Sequence, residues 1–361
     1  MQNWPDRRLL DLLKIEIPII QAPMAGADSV TLARSVSSTG ALGSLACALL
    51  GAGAVREAIG ALRHEMRRPF NLNFFCHTME LPERAVIEKW KSFLKPHYKR
   101  LGLDINTVTE SRLRQPFDQE MCAVVEELKP EVVSFHFGLP SPDFVERLKR
   151  YGATILSSAT SVREAKWLES RGCDAIIAQG VEAGGHRGMF LETNVATQTG
   201  LFALLPQVRD AVSVPVIAAG GIADARGIVA AFALGASGVQ IGTAYLLCPE
   251  ANVSPLYRTA LHQVADNGTV LTNLFSGRPA RGILNRYLEE SGAISGAAPG
   301  FPYAATLVAP LRAHSERAGS VDYMQMWAGQ AAALAKSKPA DQFTRDLAAG
   351  AIRYWQQQAS R

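Results

Sequence analysis

The sequence predicts an α/β chain folded as a (β/α)8 TIM barrel with an inserted or C-terminal cap region. Two observations carry that prediction. Short apolar runs rich in strand-forming residues alternate with Ala/Leu/Arg/Glu segments of helical spacing. Most of their starts lie about twenty to thirty residues apart, the length of a strand, a loop and a returning helix, and eight such runs close a parallel barrel.

In order, the runs are "IPIIQAPM" from Ile17, "ALGSLACA" from Ala41, "PFNLNFF" from Pro69 and "EVVSFHFG" from Glu131. They continue with "ATILSSA" from Ala153, "AIIAQG" from Ala175, "PVIAAGG" from Pro215 and "GVQIGTAYL" from Gly238. Two gaps are longer than the rest. Residues 76–130 hold "PERAVIEKWKSFLKPHYKRLG" and "FDQEMCAVVEELK", so an extra helix is expected between the third and fourth strands. After the sixth strand comes "GVEAGGHRG", Gly180 to Gly188, and then "MFLETNVATQTGLFALLPQVRDAV". A long loop at the carboxyl end of a barrel strand is where this fold builds a site. From Pro255 to about Pro302 the chain turns polar and rich in Gly and Pro, followed by helical patterns near 304–318, 321–336 and 340–358. The expected division is a cofactor-binding barrel over residues 1–250, with a cap region and C-terminal helices packing on it over 251–361.

Composition narrows the function. The 361 residues are 48% hydrophobic and 19% charged, enough for a large core. The net charge of +4 comes from scattered Lys and Arg, which suits small anionic ligands and argues against a nucleic-acid partner. Five cysteines without a C-x-x-C pair give neither a disulfide framework nor a metal site, so buried free thiols are expected. No uncharged apolar run reaches the length of about 18 residues that a membrane span needs, and the first twenty residues lack a cleavable leader pattern. The expectation is a cytoplasmic protein with no membrane partner. A homo-oligomer stays open.

Chemistry is concentrated at strand ends. "AAGGIADARG" places Gly220 and Gly221 in a turn entering a helix, and "QIGTAYL" offers Gly242 and Thr243 from the next turn. Either alone reads as a tight βα turn; paired at adjacent strands they read as a phosphate cradle of backbone N–H groups. Met24 after strand one, Asn73 in strand three and Gln179 closing strand six present uncharged groups that suit the edge of a flat isoalloxazine ring. Core packing for Met24 and loop capping for Asn73 are the plainer readings. Phosphate plus ring suggests flavin mononucleotide, FMN. In "GVEAGGHRG" the glycines bring backbone against the cofactor and leave His186 as a candidate general base. Glu182 could orient the loop or form a surface pair with Arg187, and the surface pair is the expectation. His136 ends strand four at the mouth, while His64, His77, His97, His262 and His314 read as surface or structural. Ser276, Arg278 and Arg281 read as loop-fixing, and Tyr303 and Trp327 as pocket residues from the C-terminal extension.

"QAPMAGA", "NLNFF", "AQGVEAGGHRG", "PVIAAGGIADARG", "QIGTAYL" and "FSGRPARGILN" occur in that order between about Ile17 and Asn285. Together they resemble the class I nitronate monooxygenases, formerly called 2-nitropropane dioxygenases. The resemblance implies noncovalent FMN and oxidation of alkyl nitronates such as propionate 3-nitronate, and of nitroalkanes, by O2 without a nicotinamide, giving carbonyl compounds and nitrite or nitrate. It implies that Ala22, Pro23 and Met24 lie along the ring. Asn73, Gln179, Gly184, Gly185, Gly220, Gly221, Gln240, Ile241, Gly242 and Thr243 would hold FMN. His186 would be the base for neutral nitroalkanes. By position rather than by the resemblance, His136 and Tyr303 are candidate substrate contacts, with a packed strand-end histidine the plainer reading of His136. "EAGGHRG" is shared with FMN-dependent enoyl-ACP reductases, so a FabK-like enzyme using NAD(P)H is the alternative. A phosphate-binding barrel with no redox role is the third reading. "FSGRPARG" favours the first.

Overall fold

Strands buried on both faces lose the apolar–polar alternation and become continuous apolar runs, which is why the eight barrel strands stand out in the sequence. The computed structural model describes residues 4–108 and 113–359. The barrel strands are β1 (Ile19–Gln21), β2 (Gly43–Ala46), β3 (Phe70–Phe75), β4 (Val132–His136), β5 (Thr154–Ala159) and β6 (Ala175–Gln179). After a two-residue strand β7 (Gly185–His186), β8 (Val216–Ala219) and β9 (Gly238–Ile241) complete the set. All eight neighbours are parallel in the order β1-β9-β8-β6-β5-β4-β3-β2, and a bridge between Ile20 and Leu42 closes the ring. The chain is therefore a (β/α)8 TIM barrel with every expected strand in place.

Helices return between strands, several started by a side-chain cap. Ser29, Ser161 and Asp224 accept from backbone N–H groups at the starts of helices Val30–Ser37, Val162–Glu169 and Ala225–Ala233. The last helix, Ala340–Ala359, packs on Ala225–Ala233 and Val30–Ser37, so it fills the outer-ring position that follows β9. Residues 250–339 are thus an excursion between the last strand and its helix.

That excursion differs from the sequence reading in two places. The stretch 255–302 is not all loop: it holds helix Pro255–Gln263, strands β10 (Thr269–Thr272) and β11 (Ala280–Ile283), and helix Arg286–Ser291. The pattern at 321–336 makes no α-helix, only a 3-10 turn at Ala332–Leu334. Its alanines favour a helix, but Gly329 N donates to Thr243 Oγ1 at 2.9 Å and Gln330 N to the Glu182 carbonyl at 2.9 Å. These tertiary bonds override local propensity.

The expected extra helix, Arg84–Arg100, supports this excursion. Trp90, Leu94 and Tyr98 form a second core with Phe275, Tyr287, Leu307, Leu311 and Tyr323. Trp90 Nε1 donates to the Ala304 carbonyl at 3.3 Å, and the Tyr98 hydroxyl to that of Leu307 at 2.6 Å. The five cysteines are free thiols, four of them buried.

The barrel wall tolerates no extra atom at Gly43. A Cβ there would stand 2.0 Å from the Ala33 carbonyl oxygen in helix Val30–Ser37. Gly43→Ala is expected to cost at least about 2 kcal/mol of stability through this backbone clash. Chemical unfolding of wild type and variant measures it; an unchanged midpoint would show that the helix can move away from the strand at little cost.

Candidate active site

The loop after β6 is folded into an arch by one amide and one guanidinium. Gln179 Nε2 donates to the His186 carbonyl at 3.0 Å, while Gln179 Oε1 accepts from Gly188 N at 2.7 Å. Arg187 points inward and is fully buried, donating to the carbonyls of Gly180 (2.6 Å) and Gln179 (2.7 Å) and to Gln198 Oε1 (2.9 Å). The expected Glu182–Arg187 surface pair does not form. Glu182 instead accepts from Leu201 N at the start of helix Leu201–Ala211, because the arch itself supplies the guanidinium with acceptors. Close approach explains the glycines: a Cβ on Gly184 would lie 2.6 Å from Gly329 N, and Gly185 has φ +73.

The outer edge of the arch, β7, pairs antiparallel with β11, which pairs with β10. The turn between β10 and β11 carries Ser276, whose buried Oγ lies 2.8 Å from His186 Nε2. Arg278 and Arg281 fix loops as expected: Arg278 donates to the Met189 carbonyl, and Arg281 to that of Val181 at 3.0 Å. The rings of Phe75, Phe137, Phe301 and Trp327 surround the imidazole at centroid distances of 5.4 to 6.1 Å. Burial, reinforced by the positive charges of Arg114 and Arg278, holds the His186 pKa well below its ordinary 6.5. The side chain is neutral at physiological pH.

His136 reaches the mouth, but its ring is occupied. Nε2 lies 3.1 Å from the His186 carbonyl, which can only accept, so Nε2 carries the proton and Nδ1 accepts from Ser158 Oγ at 3.0 Å. It buttresses the arch, and burial lowers its pKa to about 4. His77, read from sequence as structural or surface, is buried with its ring 4.7 Å from Phe301, its Nε2 donating to the Arg114 carbonyl, and its pKa pushed by burial to about 4. Tyr303 does not line the cavity and Trp327 does; Phe301, two residues before Tyr303, packs its ring 5.4 Å from that of His186.

The cavity beside His186 has a volume of about 420 Å³, within the usual range of cofactor and ligand sites. Ala22, Pro23, Met24 and Asn73 line one wall, and Gln179, Gly184 and Gly185 another. Gly220, Gly221, Gln240, Gly242 and Thr243 line the end over β8 and β9; Ile241 points into the core and is only 1% exposed. Gly220 and Gly221 have φ +111 and +68, and Gln240 Oε1 is buried with no hydrogen-bond partner. Asn73 Nδ2 donates to Ser134 Oγ at 2.9 Å. Behind Met24, Asp28 accepts from the backbone N–H groups of Met24 and Ala46, and burial raises its pKa to about 7. Asp28 and the guanidiniums of Arg114 and Arg312 at the mouth belong to no spaced motif and are not singled out by sequence, and Ser276 of "FSGRPARG" reads there only as loop-fixing.

A family model described as nitronate monooxygenase matches residues 6–350. The chain belongs to this family. A nitronate monooxygenase of Paraburkholderia phytofirmans is 42% identical over 94% of this chain and 94% of its own length. A probable nitronate monooxygenase of Staphylococcus aureus is 39% identical over 94% and 95%. Among solved structures, a nitroalkane oxidase from Streptomyces ansochromogenes superposes with a TM-score of 0.89 at 36% identity, covering 97% of this chain and 99% of that one. FabK from Thermotoga maritima superposes with 0.74 at 29% identity, covering 99% of each. The chain thus shares its fold with both the nitroalkane oxidase and FabK.

The lowered pKa values of three histidines at the mouth predict that this nitronate monooxygenase family member loses stability in acid. Between about pH 4 and 6.5 the folded His77, His136 and His186 stay neutral while their unfolded counterparts protonate, so unfolding takes up protons and stability falls as pH drops. Asp28 opposes this by releasing one proton on unfolding, but it is one group against three. Urea midpoints are expected to be lower at about pH 5 than at about pH 7; an equal or higher midpoint at the acid pH would contradict these assignments.

Proposed function

We propose that this protein is an FMN-dependent enzyme that oxidises alkyl nitronates with O2 to carbonyl compounds and nitrite or nitrate, and takes neutral nitroalkanes less readily. The observation that carries the reading is a neutral, half-buried imidazole at one end of a cavity whose other end is a glycine cradle. The residues fit FMN. Gly220 and Gly221 leave backbone accessible, Gly242 and Thr243 stand on the adjacent turn, and the orphaned Gln240 Oε1 lacks a donor that a ligand could bring. Thr243 Oγ1 accepts from Gly329 N, so its own hydroxyl proton is free to donate to a phosphate. Gly220, Gly221, Gly242 and Thr243 would hold the phosphate; Ala22, Pro23, Met24, Asn73, Gln179, Gly184 and Gly185 would frame the ring. When bound, FMN supplies the ring that accepts reducing equivalents from the nitronate carbon and returns them to O2.

The chain's own part is protonic and electrostatic. A neutral nitroalkane must first lose its α-proton: the C–H bond breaks, an imidazole nitrogen of His186 takes the proton, and the electron pair moves onto the nitro oxygens. Ser276 Oγ lies 3.3 Å from the Arg278 carbonyl, which can only accept its proton. Ser276 then accepts from His186 Nε2–H, and Nδ1 keeps the lone pair. Ser276 is a positioning residue. Because burial depresses its pKa, His186 is a weak base, which favours substrates that arrive already as nitronates.

Oxygen uptake by FMN-loaded protein with propionate 3-nitronate, without NADH or NADPH, tests the function. Uptake with nitrite or nitrate formation is expected; folded, flavin-loaded protein that consumes NADPH but no oxygen with the nitronate would move the FabK-like reading to first place.

His186→Ala is expected to lower kcat/KM for nitroethane by at least about 100-fold and for ethyl nitronate by less than about 10-fold. Equal losses on both substrates would remove His186 from the role of base. Ser276→Ala should show a weaker form of the same asymmetry.

A further inference from the structure

Resting on that reading, we propose that Arg114 is the specificity-determining residue of the pocket: its guanidinium takes an anionic group, a carboxylate, at the end of the nitronate substrate remote from the reacting carbon.

Arg114 lies in the irregular stretch before helix Gln119–Leu128, fixed by Phe117 N donating to the Phe75 carbonyl at 2.8 Å and by the Arg114 carbonyl accepting from His77. Its side chain lines the same cavity as His186. The guanidinium carbon stands 5.7 Å from the Phe301 ring centroid, and the imidazole of His186 5.4 Å from the same ring. Nη1 is buried and has no hydrogen-bond partner, and no carboxylate pairs with Arg114 among the described residues. A buried cation without a counter-ion costs free energy, so an anion delivered by a ligand gains an interaction the protein has left unmade.

The surrounding charges point the same way. Arg312, from helix Ala304–Arg317, lines the cavity too and repels Arg114, but is itself engaged: Nη1 donates to Gln325 Oε1 at 3.1 Å and Nη2 lies 3.5 Å from Glu316. Glu316 is therefore committed to Arg312. Arg278 is held by the Met189 carbonyl and lies 3.9 Å from the Phe137 ring centroid. His77, His136 and His186 are neutral and cannot compensate or compete. Arg114 Nη1 and Arg312 Nε are both buried donors without a partner, but among the described residues only the Arg114 side chain has no hydrogen bond or ion pair elsewhere. Arg114 shares no hydrogen-bond partner with His186, so a nitro group placed against the imidazole leaves the guanidinium for the substrate's other end. A guanidinium pairs with a planar carboxylate through two parallel donors.

The test compares two nitronates of the same chain length, propionate 3-nitronate and propyl-1-nitronate, on FMN-loaded wild type, Arg114→Met and Arg114→Lys. Arg114→Met is expected to lower kcat/KM about 100-fold for the carboxylate-bearing substrate, mostly through KM, and less than about 3-fold for propyl-1-nitronate; Arg114→Lys should recover part of the loss. Equal losses on both substrates would assign Arg114 to the nitronate group and overturn the proposal, as would no loss on either. Calorimetric titration of the same FMN-loaded proteins with succinate and butyrate, which cannot react, gives a readout independent of turnover. Succinate should bind wild type and weaken about 100-fold in Arg114→Met, with butyrate the same in both. If wild type turns over neither nitronate, the proposed function has failed, and the succinate titration alone decides the anion site. Unfolding of Arg114→Met serves as the fold control, since removing an unpaired buried charge is not expected to lower stability.

Discussion

The site depends on how Arg187 is buried. A guanidinium taken fully out of water loses several kcal/mol of hydration, offset here by charge-assisted bonds to two carbonyls and one side-chain amide. Those carbonyls belong to Gln179 and Gly180, at the beginning of the loop that Arg187 itself ends, so satisfying the guanidinium closes the loop into an arch. Burial lowers the Arg187 pKa only to about 10, and the charge persists at neutral pH. The arch presents His186 inward and offers β7 as an edge for β11. Through β11 the excursion after β9 is tied to the barrel, and with it come Ser276 and Trp327. One buried cation thereby links the fold of the barrel mouth to the position of the His186 imidazole.

The electrostatics of the mouth follow from the same exclusion of water. Three histidines lie close together, and burial keeps each uncharged, so none stores positive charge or acts as a strong base. Positive charge is carried instead by guanidiniums, which remain protonated even where burial lowers Arg114 and Arg278 to about 10. A pocket built this way attracts anions and avoids demanding a difficult proton transfer. That combination suits a nitronate, already deprotonated, better than its parent nitroalkane.

Local signals made the barrel and half of the site legible. All eight strands could be read because burial on both faces makes them continuous apolar runs, and the glycine turns after β8 and β9 announce themselves by composition. His186 could be found because its loop has almost no other side chains. The missing parts rest on contacts between residues far apart in sequence. Ser276 meets His186 across ninety positions. The hairpin β10–β11 is two four-residue strands, the second carrying Arg281 and Gly282, too short and too polar to register as strands. Arg187 resembles any surface arginine until the acceptors that surround it are known, and Arg114 sits in a stretch with no periodicity at all. The helical pattern at 321–336 misled because the alanines speak to propensity, whereas Gly329 and Gln330 are held by Thr243 and Glu182.

The most direct test of the central claim is anaerobic mixing of FMN-loaded protein with propionate 3-nitronate or with NADPH, following flavin absorbance. The account predicts rapid bleaching by the nitronate and none by NADPH. Rapid bleaching by NADPH with no response to the nitronate would contradict it, and would assign the same barrel, cradle and arch to a reductase.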